Sequence, residues 1–349
     1  MKSSLSRSLC KRSIMAVTES KLLSVKNWLK TVCSPCFELQ VLVDDASFRC
    51  YFRVHAVKQS YVIMLAPPDK EDISAFIAIA KNFSQQGIHV PEILAYNLEH
   101  GFILLSDLGD DLYLNLLNNE SADDLYIRAL EVLTQIQVCK PTLKNNQALG
   151  LFDEKFIRFE LNLFVDWFLV RHLKLNITPK LTILLEKIFQ LLITSALEQP
   201  RVCVHRDYHS RNLLLTNKQK VGVLDFQDAL YGPITYDAVS LLRDAYIDWP
   251  ETQVHKWALA FHHMLMPEHR LPQEEFLRWF DLLGIQRHLK ILGIFARLYY
   301  RDNKPQYLAS TGRLIQYLLQ TCEKYPELNE LKQLLQVAIT NNLHETKKK

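Results

Sequence analysis

Hydrophobic and polar positions alternate along residues 37–66 of the chain. Three stretches there, FELQVLV, SFRCYFRVHAV and SYVIMLA, follow the two-residue period of β-strands and are separated by short polar breaks. The next stretch, EDISAFIAIAKNFSQQG, has the period of an amphipathic helix and ends at Gly87, a residue that often terminates helices. The segment PEILAYNLEHGFILLSDLG then predicts a hairpin around His100 and Gly101. The predicted order is therefore three strands, a helix and two strands.

The helical period dominates after about residue 110. It runs through LYIRALEVLTQIQV, EKFIRFELNLFVDWFLVRHL, LTILLEKIFQLLITSAL and most of residues 251–343. Residues 202–231 are the exception, because short apolar runs there alternate with polar loops. We therefore predict an α+β protein. Its small N-terminal lobe, at residues 19–106, is a β-sheet plus a helix, and its large, mainly helical C-terminal lobe occupies residues 107–345.

The overall charge is nearly balanced, with 41 Lys and Arg residues, 38 Asp and Glu residues and a net charge of +3. A dedicated nucleic-acid-binding protein usually has a large basic excess, so we expect no nucleic-acid partner. The sequence contains no run of about 18 uncharged apolar residues, so we expect no membrane partner. The seven cysteines are scattered and odd in number, which favours reduced thiols and a cytoplasmic protein.

The first 18 residues form a basic, serine-containing segment without acidic residues. This composition is typical of a transit peptide, of a disordered tail, or of residues upstream of a true start at Met15. We treat residues 1–18 as a disordered tail, and the other two interpretations stay open.

Polar groups are concentrated in VCVHRDYHSRNLLL, residues 202–215, between apolar runs. Asp207 and, five residues later, Asn212 follow one predicted short strand, and Asp225 ends another, VGVLDF. Such an arrangement can aim two carboxylates and one amide into a single cleft. Phosphoryl transfer requires a carboxylate that orients the attacking hydroxyl, and oxygen ligands for Mg²⁺. We therefore predict Asp207 as the catalytic base and Asn212 and Asp225 as metal ligands, the alternative being that these groups only satisfy a turn.

The pattern HxDxxxxN followed by DFQD resembles the aminoglycoside phosphotransferase and choline kinase branch of the protein-kinase-like fold. The resemblance covers roughly residues 37–320 and implies a bilobal fold that uses ATP and Mg²⁺ as cofactors. It makes residues 19–106 the nucleotide-binding lobe and residues 107–345 the catalytic and substrate-binding lobe. It assigns the same roles to Asp207, Asn212 and Asp225. It also makes LLSDLG, residues 104–109, the hinge whose backbone holds adenine, with Ser106 and Leu108 as contacts.

The sequence departs from that fold in its N-terminal part. The third strand normally carries a lysine that grips the α- and β-phosphates, whereas SYVIMLA has Met64 at about that position. We expect Arg49 or Arg53, which share one face of the preceding strand, to replace the lysine; the alternative is that both are exposed edge charges. The phosphate loop lacks glycine, so we expect Ser47 and its small neighbour Ala46 to let backbone N–H groups approach the phosphates.

Four segments resemble a narrower group, the bacterial anomeric sugar kinases that act on N-acetylmuramate and N-acetylglucosamine in cell-wall sugar recycling. They are VLDFQDALYGPITYDAVSLLRDAYIDWP, QRHLKILGIFARLYYRDNKPQYL, SFRCYFRV and VIMLAPPDKED. The resemblance implies an amino-sugar substrate phosphorylated at its anomeric hydroxyl. Two alternatives stay open: a different acceptor such as an aminoglycoside, choline or another sugar, or a non-catalytic pseudokinase, which the missing lysine would suggest.

Several residues are candidates for contacts with the sugar. Trp167 is a candidate for stacking on the ring and Glu160 for bonding to its hydroxyls, although aromatic residues at helical spacing more often belong to a core. Asp228 is a candidate for reaching either the metal site or the sugar. The candidates for the carboxylate of N-acetylmuramate are Arg211, Arg243, Arg297 and Arg301. Asp237 is expected to bond the backbone near the catalytic loop or to cap the following helix.

Overall fold

The computed structural model describes residues 19–42, 49–143 and 146–346, with side chains described up to residue 337. The chain forms two compact units. The first contains the residues up to 111 together with 140–148 and 214–227, and the second contains 112–139, 149–213 and the residues from 228 onward. The predicted tail at residues 1–18 lies outside the described residues, and the predicted lobe boundary at residue 106 stays a prediction.

The first unit is built around an antiparallel sheet. Its elements are α1 (Glu19–Val32), β1 (Phe37–Val41), β2 (Cys50–Ala56), β3 (Ser60–Leu65), α2 (Ile73–Gln85), β4 (Ile93–Asn97), β5 (Phe102–Ser106), most of β7 (Leu213–Leu215) and β8 (Val221–Val223). The first five strands form one sheet in the order β1-β2-β3-β5-β4, while β7 and β8 form a separate pair. The predicted order of three strands, a helix and two strands is confirmed.

Alternation along the strands separates an apolar face of the sheet from a mixed one. Phe52 and Val54 of β2 and Ile63 of β3 belong to a buried cluster that also includes Val25 and Leu29 of α1. The cluster explains why α1, for which the sequence analysis made no prediction, forms where it does. A short amphipathic helix is marginal by itself and is stabilised mainly by the apolar surface on which it packs.

Two glycines define the ends of predicted elements. Gly87 follows α2 with a φ of +81°, the left-handed conformation that closes a helix without strain when the residue is glycine. Gly101 has a φ of +68°, and a Cβ at this position would lie 1.8 Å from the carbonyl oxygen of Ala66. Only glycine therefore fits at position 101, in the turn between β4 and β5. The predicted hairpin is confirmed.

The second unit is mainly helical. Its helices are α3 (Tyr113–Leu116), α4 (Ala122–Gln137), α5 (Glu154–Leu163), a π-helix (Phe164–His172), α6 (Pro179–Leu197), α7 (Tyr236–Leu242), α8 (Glu251–Met264), α9 (Gln273–Tyr300), α10 (Thr311–Lys324) and α11 (Asn329–Thr346). Three short 3₁₀ segments are Pro267–His269, Pro305–Ser310 and Pro326–Leu328. Two strands, β6 (Arg201–Val204) and β9 (Leu230–Pro233), pair antiparallel. The predicted helical character after residue 110 is confirmed.

Helix α9 is the central element of the second unit. It is 28 residues long and packs against α5, the π-helix, α6, α7, α8 and α10. Its buried positions include polar residues as well as apolar ones, among them Gln286, Arg287 and Lys290. Gly293 permits the closest approach, because a Cβ there would lie 2.3 Å from the carbonyl carbon of Leu163, where α5 continues into the π-helix.

The local structure differs from the sequence-based expectation in three places. VGVLDF was expected to be a strand ending in Asp225, but β8 ends at Val223 and Asp225 has a φ of +60°. The 154–173 helix is π-helical in its second half, and β9 was not predicted. Both β9 and the π-helix depend on partners distant in sequence, namely β6 and α9, which a local pattern does not reveal.

No helix in the described part of the chain is both long enough and apolar enough to cross a membrane. The six cysteines in that part are free thiols: Cys33, Cys36, Cys50, Cys139, Cys203 and Cys322.

Candidate active site

An arginine lies beside two carboxylates in the first unit. Nη2 of Arg49 is 2.5 Å from Oε2 of Glu71, and Nη1 is 3.6 Å from Oδ1 of Asp225. Glu71 directly precedes Asp72, the residue that caps α2. The Arg49 side chain is only 11% exposed, so water screens these charges less than it would at the surface. One predicted phosphate-binding arginine is thus next to a predicted metal ligand.

The other predicted arginine, Arg53, is engaged with the turn after β5. Its Nε is 2.7 Å from Oδ2 of Asp107, its Nη1 is 2.7 Å from Oδ1 of Asp110, and its Nη2 donates to the carbonyl oxygen of Gly109 at 3.3 Å. Desolvation alone would raise the pKa of Asp107, but hydrogen bonds from Ser60 and Arg53 outweigh it and lower that pKa. Arg53 therefore stabilises the segment that contains the predicted adenine hinge.

The predicted hinge residues are placed by neighbouring strands of the first unit. The N–H of Ser106 donates to the carbonyl oxygen of Glu92 at 2.9 Å, and its hydroxyl accepts from the N–H of Glu92 at 2.8 Å. Cδ1 of Leu108 is 3.0 Å from where a Cβ at Gly222 would lie, so the glycine leaves room for this leucine. Ser47 lies outside the described residues. The role of all three in ATP binding stays a prediction.

Aromatic packing anchors the DFQ segment to α2 in the first unit. The ring centroid of Phe226 is 4.7 Å from that of Phe76 and 5.7 Å from that of Phe83. Nε2 of Gln227 donates to Oδ1 of Asp225 at 2.8 Å. The positive φ of Asp225 is unusual for a residue with a Cβ, and such strained conformations concentrate at functional sites.

In the second unit, carboxylates hold the backbone of the loop that follows β6. Oδ2 of Asp237 accepts the N–H of His205 at 2.6 Å, and Oδ1 accepts the N–H of Arg206 at 3.0 Å. Oδ2 of Asp244, just after α7, accepts the N–H of Ser210 at 2.9 Å. The expectation that Asp237 bonds the backbone near this loop is confirmed. These bonds fix the conformation of the segment that presents Asp207.

Asp207 and Asn212, predicted as base and metal ligand, lie together at this loop. Nδ2 of Asn212 donates to the carbonyl oxygen of Asp207 at 2.9 Å, so the amide oxygen is the atom of Asn212 suited to a metal. The Asp207 side chain is 42% exposed and thus accessible to an acceptor. Its partial desolvation would raise its pKa, but the positive charges of Lys290 and Arg287 outweigh this and lower the pKa to about 2.

A buried charged cluster surrounds Glu160 of α5. The Glu160 side chain is 3% exposed, and its Oε1 is 2.6 Å from Nζ of Lys290 and 3.7 Å from Nη2 of Arg206. Its Oε2 accepts from Nε2 of Gln286 at 3.0 Å. A buried carboxylate is costly unless it is paired and hydrogen-bonded, and Lys290 and Gln286 meet both needs from one face of α9.

Tyr236 and Arg287 connect this cluster to Asp207. The Tyr236 hydroxyl accepts from Nζ of Lys290 at 3.1 Å and from Nη1 of Arg287 at 3.5 Å. Nη1 of Arg287 also donates to the carbonyl oxygen of Arg206 at 3.0 Å, and its Nη2 is 3.9 Å from Oδ1 of Asp207. The positive charges of Lys290 and Arg287, both on α9, therefore keep the predicted base Asp207 ionised at neutral pH.

The profile of a single protein family matches most of this chain, at residues 38–277; its description is "Phosphotransferase enzyme family". This chain belongs to the phosphotransferase enzyme family. Two relatives are named N-acetylmuramate/N-acetylglucosamine kinase. The one from Pseudomonas aeruginosa is 46% identical over 305 residues, covering 86% of this chain and 88% of the relative. The one from Neisseria meningitidis is 39% identical over 325 residues, covering 90% and 94%.

Solved structures show that this phosphotransferase has the protein-kinase-like fold. Choline kinase LicA from Streptococcus pneumoniae matches with a TM-score of 0.60 at 10% identity, covering 86% of this chain and 100% of that one. The ADP-bound aminoglycoside phosphotransferase APH(2'')-Ib matches with a TM-score of 0.56 at 15% identity, covering 85% and 97%. The predicted fold class, and the resemblance on which it rested, are confirmed.

The remaining predicted acceptor contacts of the phosphotransferase are dispersed over the second unit. The carbonyl oxygen of Asp228 accepts from Nη1 of Arg206 at 3.4 Å, so this residue adjoins the charged cluster. The guanidinium of Arg211 lies 4.7 Å from the ring centroid of Tyr246. Trp167 is partly buried on the π-helix. Their roles in sugar binding stay predictions.

Arg243 is not suited to the role of carboxylate ligand that was considered for it. Its side chain is 1% exposed, and its Nη2 is 2.5 Å from both Oε1 of Glu251 and Oδ1 of Asp281. Its Nη1 donates to the hydroxyl of Thr321 at 3.1 Å. Internal carboxylates thus neutralise the guanidinium. Arg301, for its part, pairs with the adjacent Asp302.

The residues around Asp207 that the sequence-based candidates did not include are Arg206, Tyr236, Gln286, Arg287 and Lys290. A pattern that could have pointed to Gln286, Arg287 and Lys290 is the polar group QRHLK within the otherwise apolar centre of α9. Polar residues at core positions of a helix need partners, so their number predicts a buried polar site.

Proposed function

We propose that this phosphotransferase transfers the γ-phosphoryl group of ATP to the anomeric hydroxyl of N-acetylmuramate or N-acetylglucosamine. The observation that carries the proposal is the 39–46% identity, over at least 86% of this chain, to relatives that bear the name of that activity. The ionised, accessible carboxylate of Asp207 supports it. Such an enzyme would serve the recycling of cell-wall amino sugars in the cytoplasm, where ATP is available.

Asp207 is the proposed catalytic base. An anomeric hydroxyl is more acidic than an ordinary alcohol, so a weakly basic carboxylate suffices. With a pKa of about 2, Asp207 orients the hydroxyl in the ground state and accepts its proton only late in the transfer. Positioning by the loop that Asp237 and Asp244 hold supplies the geometry for in-line attack.

Asn212 and Asp225 are the proposed Mg²⁺ ligands. Mg²⁺ binds hard oxygen donors, typically one or two protein groups together with phosphates and water. The amide oxygen of Asn212 and the carboxylate of Asp225 fit this donor set, and the hydrogen bond from Nδ2 of Asn212 sets the orientation of its amide. When bound, the ion neutralises charge that develops on the phosphate oxygens.

Arg49 is the proposed replacement for the missing lysine. Its pairing with Glu71 gives a cation whose orientation is set by a carboxylate at the start of α2, and its neighbour is the proposed metal ligand Asp225. Arg53 is less suited, because two aspartates bind its guanidinium. This pairing argues for a catalytically competent nucleotide site and against the pseudokinase interpretation.

The test is an ADP-release assay with Mg-ATP and each of the two sugars, followed by ³¹P NMR of the product. We expect wild-type protein to form a sugar 1-phosphate, and Asp207→Asn to lower kcat by about 10²- to 10⁴-fold, because the base is lost. Asp124→Asn is the matched control, since Asp124 is 61% exposed on α4 and its ion pair within the described part of the chain is with Arg128.

Turnover of an aminoglycoside, choline or a different sugar, with neither amino sugar accepted, would keep the enzyme class and overturn the proposed substrate. ATP binding without turnover of any acceptor would favour the pseudokinase interpretation instead. Equal activity of wild type and Asp207→Asn would overturn the assignment of the base.

A further inference from the structure

Arg206 adopts a backbone conformation that is unfavourable for its residue type. Its φ is 78°, in the left-handed region that glycine occupies freely and that residues with a Cβ occupy only at a cost. Oδ1 of Asp237 accepts its N–H, so the loop imposes this conformation. A glycine would satisfy the backbone equally well and without strain. The presence of arginine therefore indicates that its side chain contributes something that offsets the strain.

The guanidinium of Arg206 is positioned by three long contacts in the second unit. Its Cζ lies 4.9 Å from the ring centroid of Phe156, its Nη2 is 3.7 Å from Oε1 of Glu160, and its Nη1 donates to the carbonyl oxygen of Asp228 at 3.4 Å. Charge-assisted hydrogen bonds are usually shorter, at about 2.7–2.9 Å. The guanidinium is therefore oriented by its neighbours but makes no close ion pair with a described residue.

The other two cations of the cluster are satisfied more closely. Nζ of Lys290 is 2.6 Å from Glu160 and donates to the Tyr236 hydroxyl, while Arg287 donates to the carbonyl oxygen of Arg206. Their side chains are 9% and 5% exposed, whereas that of Arg206 is 22% exposed. Lys290 already balances the charge of Glu160, which leaves Arg206 as the cation of this cluster that can receive an anion from solution.

We propose that Arg206 binds the carboxylate of an anionic acceptor and so sets the preference for N-acetylmuramate over N-acetylglucosamine. This assignment rests on the proposed function. Arg206 directly precedes the proposed base Asp207, so an acceptor whose hydroxyl reaches Asp207 lies within the span of the arginine side chain. The two sugars differ by the lactyl group of N-acetylmuramate, whose carboxylate matches the planar, two-pronged geometry of a guanidinium.

The experiment compares kcat/KM for the two sugars in wild type, Arg206→Gln, Arg206→Lys and Arg206→Gly. We expect Arg206→Gln to lower the ratio of the N-acetylmuramate value to the N-acetylglucosamine value by about 10- to 100-fold, because a charge-assisted bond is lost. Arg206→Lys should recover part of the ratio that Arg206→Gln loses, since lysine keeps the positive charge but lacks the two-pronged geometry of the guanidinium. Arg158→Gln, which removes a partly exposed arginine that pairs with Glu186 and Glu154, is the matched control.

Arg206→Gly separates binding from folding. Its Tm should equal or exceed that of wild type, because glycine relieves the positive φ. Its turnover of N-acetylmuramate should rise when methylguanidinium is added, because the free cation can occupy the space of the deleted side chain. A merely structural arginine would show neither a change in the ratio nor this rescue.

Two results would overturn the assignment while leaving the proposed function intact. One is an unchanged ratio in Arg206→Gln with wild type active on both sugars. The other is an equal loss for both sugars together with a raised KM for ATP, which would mean that the guanidinium serves the transferred phosphoryl group. Wild-type inactivity on both sugars would overturn the proposed function and the assignment together.

Discussion

Nη2 of Arg49 and Oε2 of Glu71 are 2.5 Å apart, although 21 residues separate the two positions in sequence (49 and 71). The pair lies in the first unit, where β3 carries the buried Met64 at about the position at which the resemblance calls for a lysine. Arg49, which directly precedes β2, and Glu71, which precedes the N-cap of α2, thus form a cation–carboxylate pair, and its cation does not come from β3.

Arg49→Ala is expected to raise the KM for ATP by about 10- to 100-fold, because a charged contact to phosphate is lost. Arg53→Ala should raise this KM less but lower the Tm more, since Asp107 would lose the guanidinium that pairs with it. Steady-state kinetics and thermal unfolding of the two variants check this prediction. An unchanged KM in Arg49→Ala would show that the arginine does not replace the lysine.

Asp237→Asn is expected to destabilise the protein by about 1–3 kcal/mol and to lower kcat. Both carboxylate oxygens of Asp237 accept backbone N–H groups, from His205 and Arg206. An asparagine has one amide oxygen and would turn an NH₂ group toward one of these donors, which leaves a buried N–H without an acceptor. Differential scanning calorimetry measures the loss, and a Tm equal to that of wild type would contradict it.

His255 is expected to make stability depend on pH above its usual pKa of 6.5. Hydrogen bonds with Asp281 and Glu251 raise the pKa of His255, while its desolvation and the charge of Lys324 oppose the rise. Since the folded pKa is the higher one, the stabilisation is fully present below about pH 6.5 and is lost as the pH rises through the folded pKa.

The measurement is the difference in the free energy of unfolding between wild type and His255→Gln, obtained from thermal unfolding at a series of pH values. Wild type should be the more stable by about 1 kcal/mol near pH 6, and the difference should shrink at higher pH. Burial by itself would raise the pKa of Glu251, but the hydrogen bond with His255 and the charges of Arg243 and Lys324 outweigh it and lower the pKa to about 2, so this carboxylate stays ionised throughout the range. Groups that titrate alike in wild type and in His255→Gln cancel in this difference. A difference independent of pH would contradict the prediction.

Gly293→Ala is expected to destabilise the second unit by about 1–3 kcal/mol or more. A Cβ at Gly293 would lie 2.3 Å from the carbonyl carbon of Leu163 and 2.6 Å from the backbone nitrogen of Phe164, and backbone atoms have little freedom to move away. Gly312→Ala is the matched control, because a Cβ there meets nothing within 4 Å. The control should be neutral or stabilising by about 0.5–1 kcal/mol. Equal Tm values for the two variants would argue against close helix packing at Gly293.

The sheet of the first unit shows how far local sequence patterns extend. The alternation in β2 and β3, and the glycines at positions 87 and 101, predict the strands, the helix and the hairpin, because each depends on side-chain direction or backbone sterics within a few residues. The helix Glu19–Val32 was not predicted, since its stability comes from packing on the sheet.

The charged cluster shows where local patterns fail. Asp207 and Asn212 are five residues apart and form a recognisable motif, so the sequence identifies them. Glu160 and Lys290 are 2.6 Å apart in space but 130 residues apart in sequence, and no periodicity links them. Arg243 was a sequence-based candidate for binding a carboxylate and Arg206 was not. In the structure two carboxylates neutralise the buried Arg243, whereas the guanidinium of Arg206 makes only long contacts with the described residues and is the cation to which we assign anion binding.

The sequence by itself determined the order of strands and helices, the family, and the loop that carries the proposed base and one metal ligand. These depend on local periodicity and on short motifs whose spacing follows from the geometry of a turn. Only the tertiary structure decided which arginine lies beside Asp225, which residues of α9 surround Asp207, and which cations are already neutralised. Charge interactions act through space and depend on burial, and both are set by packing between segments that are far apart along the chain.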